Sequence, residues 1–273
     1  MNQWTEEQIR LLAEVMPGLA AHLRSSMSPL AIALPRLAAP EQRLADEKLD
    51  RDAAVAMQSY YRIQRLAGNL SAAPMLLQKQ PLPRRNEDVA SLLDRICREA
   101  DGMAWEKGVK IHFRSLRSNH VAAISPQTFE LMVWNLLSNA VKFTDAGGQV
   151  TVTLQWTDAR MLLTVADTGC GIAPELMDTL YDRWLHTERM DVPPHGLGLG
   201  LPLCRAIAEG HGGGLLLSSR VGEGTTVTVS LPNEKVSVDE ICEFVLYDGG
   251  APAPQLGLSD AMSYCAYLQK NSD

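Results

Sequence analysis

Apolar residues recur every three or four positions through the first seventy residues, a period that predicts two helices. In the first helix these positions extend from Ile9 to Leu37, and Pro17 favours a kink or a restart because proline disrupts helix interiors. After the polar stretch PEQRLADEKLDRD, a second helix is predicted over about 49–73. Two helices alone leave apolar surface uncovered, so we expect a homodimer in which two copies form a four-helix bundle.

The pattern changes after the second helix, where PMLLQKQPLPRRNE contains three prolines and no sustained period, as a linker does. Helical periods and alternating apolar strands then follow one another, which predicts an α+β sandwich whose mixed sheet is covered by helices on one face. The predicted elements are a helix from Val89 to Ala100, a strand at 109–113, a helix over 126–143, strands at 150–156 and 161–165 joined by a hairpin turn at 157–160, a helix over 200–210, and strands at 214–219 and 225–231.

These patterns divide the chain into a two-helix dimerisation domain (1–78), a linker (79–87), an α+β domain (88–233) and an acidic C-terminal extension (234–273). The extension lies beyond the last predicted strand and contains an apolar run from Ile241 to Tyr247. Two interpretations stay open for it: an added strand or docking segment, or a solvated acidic tail.

The 273 residues are 46% apolar and 21% charged, the balance of a globular protein. Acidic residues outnumber basic ones by 32 to 25, for a net charge of −7, which argues against a non-specific nucleic-acid binder. No apolar run is long enough for a membrane span, and the start MNQWTEEQIR lacks the features of a secretory signal, so we expect a cytoplasmic protein. The five cysteines are scattered and suggest neither a disulfide framework nor a zinc site.

The predicted helix 126–143 is largely apolar and carries two amides and an ammonium in its second half. Asn135, Asn139 and Lys142 are spaced by four and three residues, which places them on one helix face. Amide oxygens coordinate hard cations such as Mg²⁺, and lysine neutralises phosphate. The alternative is a polar stripe that faces solvent or caps a neighbouring element.

Three further clusters combine glycine with polar residues at the ends of predicted elements. Asp167 follows a strand and begins the run DTGCGI, whose carboxylate could accept a hydrogen bond from an exocyclic amine while the glycines let a flat ring approach. GLGLGL at 196–201 opens a helix, whose free amides suit phosphate. GEGTT at 222–226 turns into the last strand. Each run taken singly is also compatible with a loop that binds nothing.

Taken together and in this order, the clusters resemble the ATP-binding domain of sensor histidine kinases, in the superfamily that includes gyrase, the heat-shock chaperone and the mismatch-repair proteins. NLLSNAVKFT (135–144) resembles the N box of that family, DTGCGI the G1 box, GLGLGL the G2 box and GEGTT the last glycine box. LYDRW (180–184) is similar to the aromatic F box. The preceding helix pair, with YYRIQRLAGNL, resembles the dimerisation and histidine phosphotransfer domain.

The resemblance implies that the chain binds ATP and Mg²⁺. Asn139 would coordinate Mg²⁺, Lys142 would contact phosphate, and Asp167 would bind the adenine amine. The remaining implied residues are Gly169, Gly171 and Ile172 for the purine pocket, Gly196, Gly198, Gly200 and Leu201 for the lid and the phosphates, and Thr225 or Thr226 for the adenine end.

Asn135 occupies the position at which hydrolytic relatives such as gyrase have a catalytic glutamate. An amide cannot act as a general base, so the resemblance favours phosphoryl transfer over the activation of water.

The phosphoacceptor region departs from the family pattern. The family run H-E-L-R-T-P-L corresponds here to AHLRSSMSPL (21–30), and matching on either Leu23-Arg24 or Pro29-Leu30 leaves no histidine at the acceptor position. His22 could still accept the phosphoryl group, because it lies about 100° around the helix from the seam residue Leu23. The alternative is an ordinary surface histidine.

These features predict a cytoplasmic sensor histidine kinase-like protein that transfers the γ-phosphate of ATP to a histidine and then to an aspartate of a response regulator. One alternative is a degenerate pseudokinase that binds ATP and Mg²⁺ and regulates a partner signalling protein without autophosphorylation. Another is a serine kinase of the anti-sigma type. The paired N-terminal helices count against the serine kinase, whose relatives resemble the ATP-binding domain alone.

Overall fold

The computed structural model describes residues 6–37, 39–76, 82–116, 118–177, 198–237 and 253–269, with the backbone alone for 6–13. Helices and strands are interspersed after an entirely helical first part. The helices are α1 (Glu6–Leu37), α2 (Pro40–Ala45), α3 (Glu47–Ala72), α4 (Val89–Ala104), α5 (Pro126–Phe143), α6 (Pro174–Met177), α7 (Gly200–Gly210) and α8 (Ala253–Gly257). The strands are β1 (Arg85–Asp88), β2 (Lys110–Ser115), β3 (Val121–Ile124), β4 (Gln149–Trp156), β5 (Arg160–Asp167), β6 (Gly214–Arg220) and β7 (Gly224–Pro232).

The first part is a helical hairpin in which α1 packs along α3. Helix α1 runs without a break through Pro17, Pro29 and Pro35, so of the kink or restart expected near Pro17 the restart does not occur. Each interior proline removes a backbone hydrogen bond, and apolar contact along the hairpin, where Ala20 is fully buried, offsets that cost. No helix in the described ranges is both long and apolar enough to cross a membrane.

The connection between the two long helices is itself ordered. The short helix α2 occupies the stretch whose composition predicts a polar turn. Helix α3 then begins after Asp46, whose carboxylate accepts hydrogen bonds from the backbone amides of Lys48 at 2.9 Å and Leu49 at 3.1 Å. This N-cap satisfies amides that have no partner within the helix, and it sets the helix start two residues ahead of the predicted one.

Within the described residues, five strands form a mixed sheet in the order β2-β4-β5-β7-β6. Strands β2 and β4 are parallel, and the other neighbours are antiparallel. The predicted hairpin closes where the amide of Thr157 donates to the carbonyl of Arg160 at 2.8 Å. Alternate residues of β4, Val150, Val152 and Leu154, are fully buried in the core, and helices α4, α5 and α7 pack on strands of this sheet. The predicted fold class is confirmed.

A small second sheet is formed by β1 and β3, which lie before α4 and after β2 in sequence. Strand β1 falls within the predicted linker and pairs antiparallel with β3, from Arg85 opposite Ile124 to Asp88 opposite Val121. The sequence pattern predicts neither strand, because each has four residues and RNED contains no apolar residue.

Residues 253–269, here called the C-terminal segment, fold back onto the rest of the molecule. Leu258 and Met262 are buried, and the ring of Tyr267 stacks on that of Tyr61 in α3 with centroids 5.7 Å apart. The docking interpretation of the extension therefore describes these residues, as a short helix and a 3-10 turn rather than a strand. The apolar run from Ile241 to Tyr247 lies outside the described residues.

His211 joins the ends of the two helices that carry the N-box and G2-box sequences. Its Nε2 accepts a hydrogen bond from the backbone amide of Ser125, which precedes α5, at 3.0 Å. Because Nε2 is an acceptor, Nδ1 carries the proton and donates to the carbonyl of Ile207 in α7 at 2.7 Å. The ring is only 2% exposed, and burial lowers its pKa from 6.5 to about 4.

We expect the stability of the fold to decrease as the pH falls from about 6.5 to about 4. In that window the unfolded chain binds a proton at His211 that the folded chain excludes, so the free energy of unfolding falls by up to about 1.4 kcal/mol per pH unit. Urea denaturation at pH 6.5 and pH 5 measures this slope. His211→Gln should flatten it, and the exposed His112→Gln should leave it unchanged. A wild-type stability that is constant across this interval would contradict the assignment.

Candidate functional site

A cavity of about 610 Å³ opens between α3, α5, the start of α7 and one end of the main sheet. The sheet and the loop after β5 supply an apolar wall, whereas α3 and α5 supply mostly polar and cationic groups. The cavity therefore offers an apolar surface for a flat ring beside a region suited to negative charge. The apolar wall includes Val165, Ile172, Leu201, Leu217 and Val227.

The three polar residues of α5 that the sequence pattern singles out, Asn135, Asn139 and Lys142, all line this cavity, as their spacing predicts. Asn135 is buried, and its amide oxygen accepts a hydrogen bond from Nη2 of Arg65 at 3.0 Å, while its amide nitrogen donates to Oδ1 of Asn69 at 3.3 Å. Asn139 and Lys142 are half-buried, and their side chains make no hydrogen bond to a described residue. Asn135 thus belongs to the contact between the two helices, whereas Asn139 and Lys142 are available to a ligand.

Positive charge is concentrated on the α3 and α5 side. Arg62, Arg65 and Lys142 line the cavity there, and a carboxylate oxygen of Asp260 in the C-terminal segment lies 3.5 Å from Nη1 of Arg65. Burial lowers the pKa of both Lys142 and Arg65, and the negative charge of Asp260 acts on both in the opposite direction. Buried cations require anionic partners, so this side of the cavity is suited to phosphate.

Asp167 ends strand β5, where the register of the sheet sets it beside the start of β7. Its Oδ1 accepts hydrogen bonds from the backbone amides of Gly169 at 2.9 Å and Thr225 at 3.1 Å. Burial raises the pKa of this carboxyl, and the two hydrogen bonds act against that shift. Its Oδ2 makes no hydrogen bond to a described residue, which leaves an acceptor for an amine in the cavity.

Glycines allow the loop after β5 to pass close to neighbouring backbone. Gly171 has a positive φ of 68°, and a Cβ there would overlap the carbonyl oxygen of Arg220. At Gly169 a Cβ would overlap the carbonyl oxygen of Phe143 at the end of α5. The loop is therefore held against both α5 and the β6–β7 turn, and any larger residue would push it away from the cavity.

The G2-box residues that the structure describes also border the cavity. Gly198, Gly200 and Leu201 line it, and Gly198 has a positive φ of 71° at the entry to α7. Gly196 and the F-box sequence LYDRW lie outside the described residues.

Three other described candidates do not line the cavity. Gly169 is not among its lining residues, although its backbone amide supports Asp167. Thr225 lines it, but Thr226 does not, because successive residues of β7 face opposite sides of the sheet. His22 is exposed on α1 and is not among the residues that line the cavity.

The structure adds residues that the sequence motifs do not identify. Arg62, Arg65 and Asn69 line the cavity from α3, and Ser138 of α5 accepts a hydrogen bond from Nη1 of Arg65 at 2.5 Å. A signal is present in YYRIQRLAGNL, since residues 62, 65 and 69 repeat at steps of three and four and share a helix face. The contribution of Asp260 has no such signal, because it depends on a contact across 195 residues of chain.

Ser219 supports the loop at the apolar wall. Its hydroxyl oxygen accepts a hydrogen bond from the amide of Ile172 at 2.8 Å and lies 2.9 Å from both the carbonyl oxygen of Gly224 and the hydroxyl of Thr225. One side chain thereby ties the G1-box loop to the turn between β6 and β7. Sequence motifs do not reveal this role because an isolated serine in a strand carries no pattern.

Comparison with known proteins agrees with this arrangement. Residues 125–235 match the family described as "Histidine kinase-, DNA gyrase B-, and HSP90-like ATPase". Histidine protein kinase DivJ of Caulobacter vibrioides is 48% identical over 101 residues, which are 37% of this chain and 17% of DivJ. Sensor protein SrrB of Staphylococcus aureus is 28% identical over 188 residues, which are 68% of this chain and 32% of SrrB.

A solved structure shares the fold over most of the chain. The crystal structure of full-length ShkA in complex with AMPPNP covers 83% of this chain and 47% of the ShkA chain, with a TM-score of 0.62 and 23% sequence identity. The chain spans less than a third of the length of DivJ and SrrB.

Residues 125–235 thus resemble an ATPase domain of the histidine kinase, DNA gyrase B and HSP90 type. The chain, with the helical hairpin that precedes these residues, is similar to sensor histidine kinases.

We expect Gly171→Ala to lower the free energy of unfolding more than Gly222→Ala does. Both glycines have a positive φ, 68° and 79°, which costs an alanine about 1–2 kcal/mol. A Cβ at 222 meets open space, whereas one at 171 overlaps a backbone carbonyl, so Gly171→Ala should cost roughly 1 kcal/mol more. Denaturant unfolding of the two variants measures the difference, and equal losses would contradict the close approach seen at Gly171.

Proposed function

We propose that the cavity binds ATP together with Mg²⁺. The observation that carries this proposal is the convergence of Asn139, Lys142 and Asp167 on one cavity that joins an apolar wall to a cationic region. Asn139 and Asp167, which are 28 positions apart in sequence and belong to different family-like boxes, both line it. The match of residues 125–235 to an ATPase family supports the same ligand.

The two sides of the cavity suit different parts of the nucleotide. Asp167 would accept a hydrogen bond from the exocyclic amine of adenine through Oδ2, while Val165, Ile172 and Val227 cover the ring. Lys142 would pair with phosphate oxygens, since its half-buried ammonium has no hydrogen-bonded partner among the described residues.

The residues present also fit a magnesium ion that is held mainly by the nucleotide. Asn139 offers one amide oxygen in the cavity, and the described residues include no cluster of three or more His, Cys, Asp or Glu side chains that could hold a metal alone. Mg²⁺ in phosphate-binding sites commonly takes one or two protein ligands and completes its shell with phosphate and water. When bound, it would neutralise charge on the transferring phosphoryl group.

We further propose that the bound ATP serves phosphoryl transfer rather than hydrolysis. Asn135 donates and accepts hydrogen bonds to α3 and has no carboxylate with which to take a proton from water. In the transfer, an imidazole nitrogen of His22 would bond to the γ-phosphorus as the bond to the β–γ bridging oxygen breaks. ADP would leave, and the imidazole N–H proton would pass to solvent.

The kinship with sensor histidine kinases supports two partners for this chain, a second copy and a response regulator. The exposed apolar residues of α1, which include Leu19 at 55% and Ile32 at 57% exposure, supply a surface that a second helical hairpin would cover. The regulator would then accept the phosphoryl group on an aspartate.

A non-catalytic alternative is favoured by one observation, the environment of His22. This residue is exposed on α1, away from the cavity, and its neighbours Ala21 and Leu23 supply no carboxylate that could assist proton removal. A pseudokinase would bind ATP and Mg²⁺ at the same site. It would regulate a partner because the bound nucleotide changes the position of the helical hairpin relative to the ATPase domain.

We expect Asp167→Ala to weaken ATP binding by roughly a hundredfold, which abolishes it at micromolar nucleotide, because the adenine amine loses its charged acceptor. The variant should remain folded, since Oδ1 supports only two loop amides. Fluorescent-ATP titration measures the affinity, and circular dichroism checks the fold. The exposed Asp158→Ala, which removes the same charge, should bind like the wild type. An unchanged affinity in Asp167→Ala would overturn the assignment of the adenine site.

Incubation with γ-labelled ATP and Mg²⁺ separates the kinase from its alternatives. The kinase predicts a base-stable, acid-labile label on the protein that is lost in His22→Ala and retained in His112→Ala, an exposed histidine of β2. Saturable ATP binding without label would contradict the kinase and support the pseudokinase. An acid-stable label would instead identify transfer to a hydroxyl.

A further inference from the structure

The C-terminal segment crosses from the helical hairpin to the ATPase domain. On the hairpin side, the amide nitrogen of Gln58 donates to the carbonyl of Met262 at 2.5 Å, and Nε of Arg62 donates to the carbonyl of Ser259 at 3.0 Å. These bonds come from two successive turns of α3. The segment is thus bound to the helix that forms one wall of the nucleotide cavity.

The end of the segment is anchored by α2 and the start of α3. Nη2 of Arg43 donates to the carbonyl of Tyr267 at 2.7 Å, and the backbone amide of Gln269 donates to the Asp50 carboxylate at 3.0 Å. Arg43 and Asp50 themselves form a buried ion pair at 2.7 Å. Contacts in the middle of the segment and at its end therefore fix its path along the helical hairpin.

On the ATPase side, the segment packs directly on the helix that carries the N box. Gly257 lies so close to the ring of Trp134 in α5 that a Cβ would overlap the indole. Leu258 is fully buried in the same core as Trp134. The segment accordingly holds α3 and α5 together across the cavity.

Between these two contacts, Asp260 faces the cationic side of the cavity. Its carboxylate lies 3.5 Å from Nη1 of Arg65 and 4.0 Å from Nε of Arg62, and it also acts electrostatically on Lys142. All four residues line the cavity. Asp260 is therefore the carboxylate that balances the charges to which the phosphates of a nucleotide would be drawn.

We propose that the C-terminal segment is an autoinhibitory latch, with Asp260 occupying the phosphate side of the nucleotide cavity and opposing nucleotide binding. Phosphate groups compete with Asp260 for Arg62, Arg65 and Lys142. The negative charges of the Asp260 carboxylate and of a phosphate bound to the same cations also repel each other. The inference rests on the proposed binding of ATP, which it extends to regulation. Coupling between two binding events is reciprocal. The factor by which the docked segment lowers the affinity for ATP is therefore also the factor by which bound ATP lowers the docking equilibrium constant of the segment.

The latch also accounts for the position of His22. With the segment docked, α3 stays opposite α5 at the cavity, and the exposed His22 of α1 is not among the residues that line this cavity. Phosphoryl transfer to His22 in the same chain therefore requires the hairpin and the ATPase domain to separate. Release of the segment removes contacts that hold them together. A signal that pulls the segment away would then increase both nucleotide binding and access to the phosphoacceptor.

Three charge and packing variants of the full-length chain test the latch by ATP titration in the presence of Mg²⁺. Asp260→Asn removes the competing charge, and Gly257→Ala disrupts docking on Trp134 without changing charge. Both should bind ATP about fivefold or more tightly than the wild type. Asp52→Asn, a control on the solvent-exposed face of α3 that changes the net charge equally, should bind like the wild type.

Hydrogen exchange supplies a second measurement on the same samples. In the wild type, saturating ATP and Mg²⁺ should increase amide exchange in residues 253–269, and Gly257→Ala should do so without nucleotide. Tighter ATP binding by Asp260→Asn, with no change in the ATP affinity or amide exchange of Gly257→Ala, would show that Asp260 acts only as a local repulsive charge. That result would overturn the latch.

The outcomes separate the latch from the ATP site on which it rests. Equal affinity in all variants, with ATP leaving the exchange of the segment unchanged, would overturn the latch and leave ATP binding intact. The absence of ATP binding in the wild type and both latch variants would overturn the proposed function itself.

Discussion

The structure depends on how one buried guanidinium is satisfied. Arg65 lies in α3, donates to Asn135 and Ser138 of α5, and faces the Asp260 carboxylate of the C-terminal segment. A buried charge is costly unless it is paired and hydrogen-bonded, so moving any of the three parts of the chain that meet at Arg65 leaves its guanidinium in need of another partner. Whatever displaces one of its partners also changes the cavity between α3 and α5, because Arg65 lines it.

The opposite wall of the cavity is set by backbone geometry rather than by charge. The antiparallel pairing of β5 with β7 places Asp167 beside the amide of Thr225, and glycine at 171 lets the intervening loop approach Arg220. One wall is thus a rigid sheet edge, and the other is a helix held by a polar contact. Such a division suits a site whose apolar side is constant while its cationic side responds to the position of the helical hairpin.

The hydrophobic pattern predicted most of the main sheet and its covering helices because each element has a strong period. The alternation in β4 and the apolar faces of α4 and α5 are local properties that the fold keeps. The pattern failed for β1 and β3, which are too short to show a period, and for the restart at Pro17, where packing along the hairpin outweighs a local cost. The candidate site was predictable where its residues form family boxes, as at Asn139 and Asp167.

Residue order and spacing alone define the ATPase boxes, the shared face of Asn135, Asn139 and Lys142, and the α+β class, since all of these follow from local periodicity and short motifs. Long-range folding decides which cations and carboxylates share the cavity. Arg65 and Asp260 are 195 residues apart and belong to no common motif, and their meeting results from the packing of α3, α5 and the C-terminal segment around a common core. Charge pairing across such distances in sequence has no local signature, because it is set by the burial of the apolar residues around it.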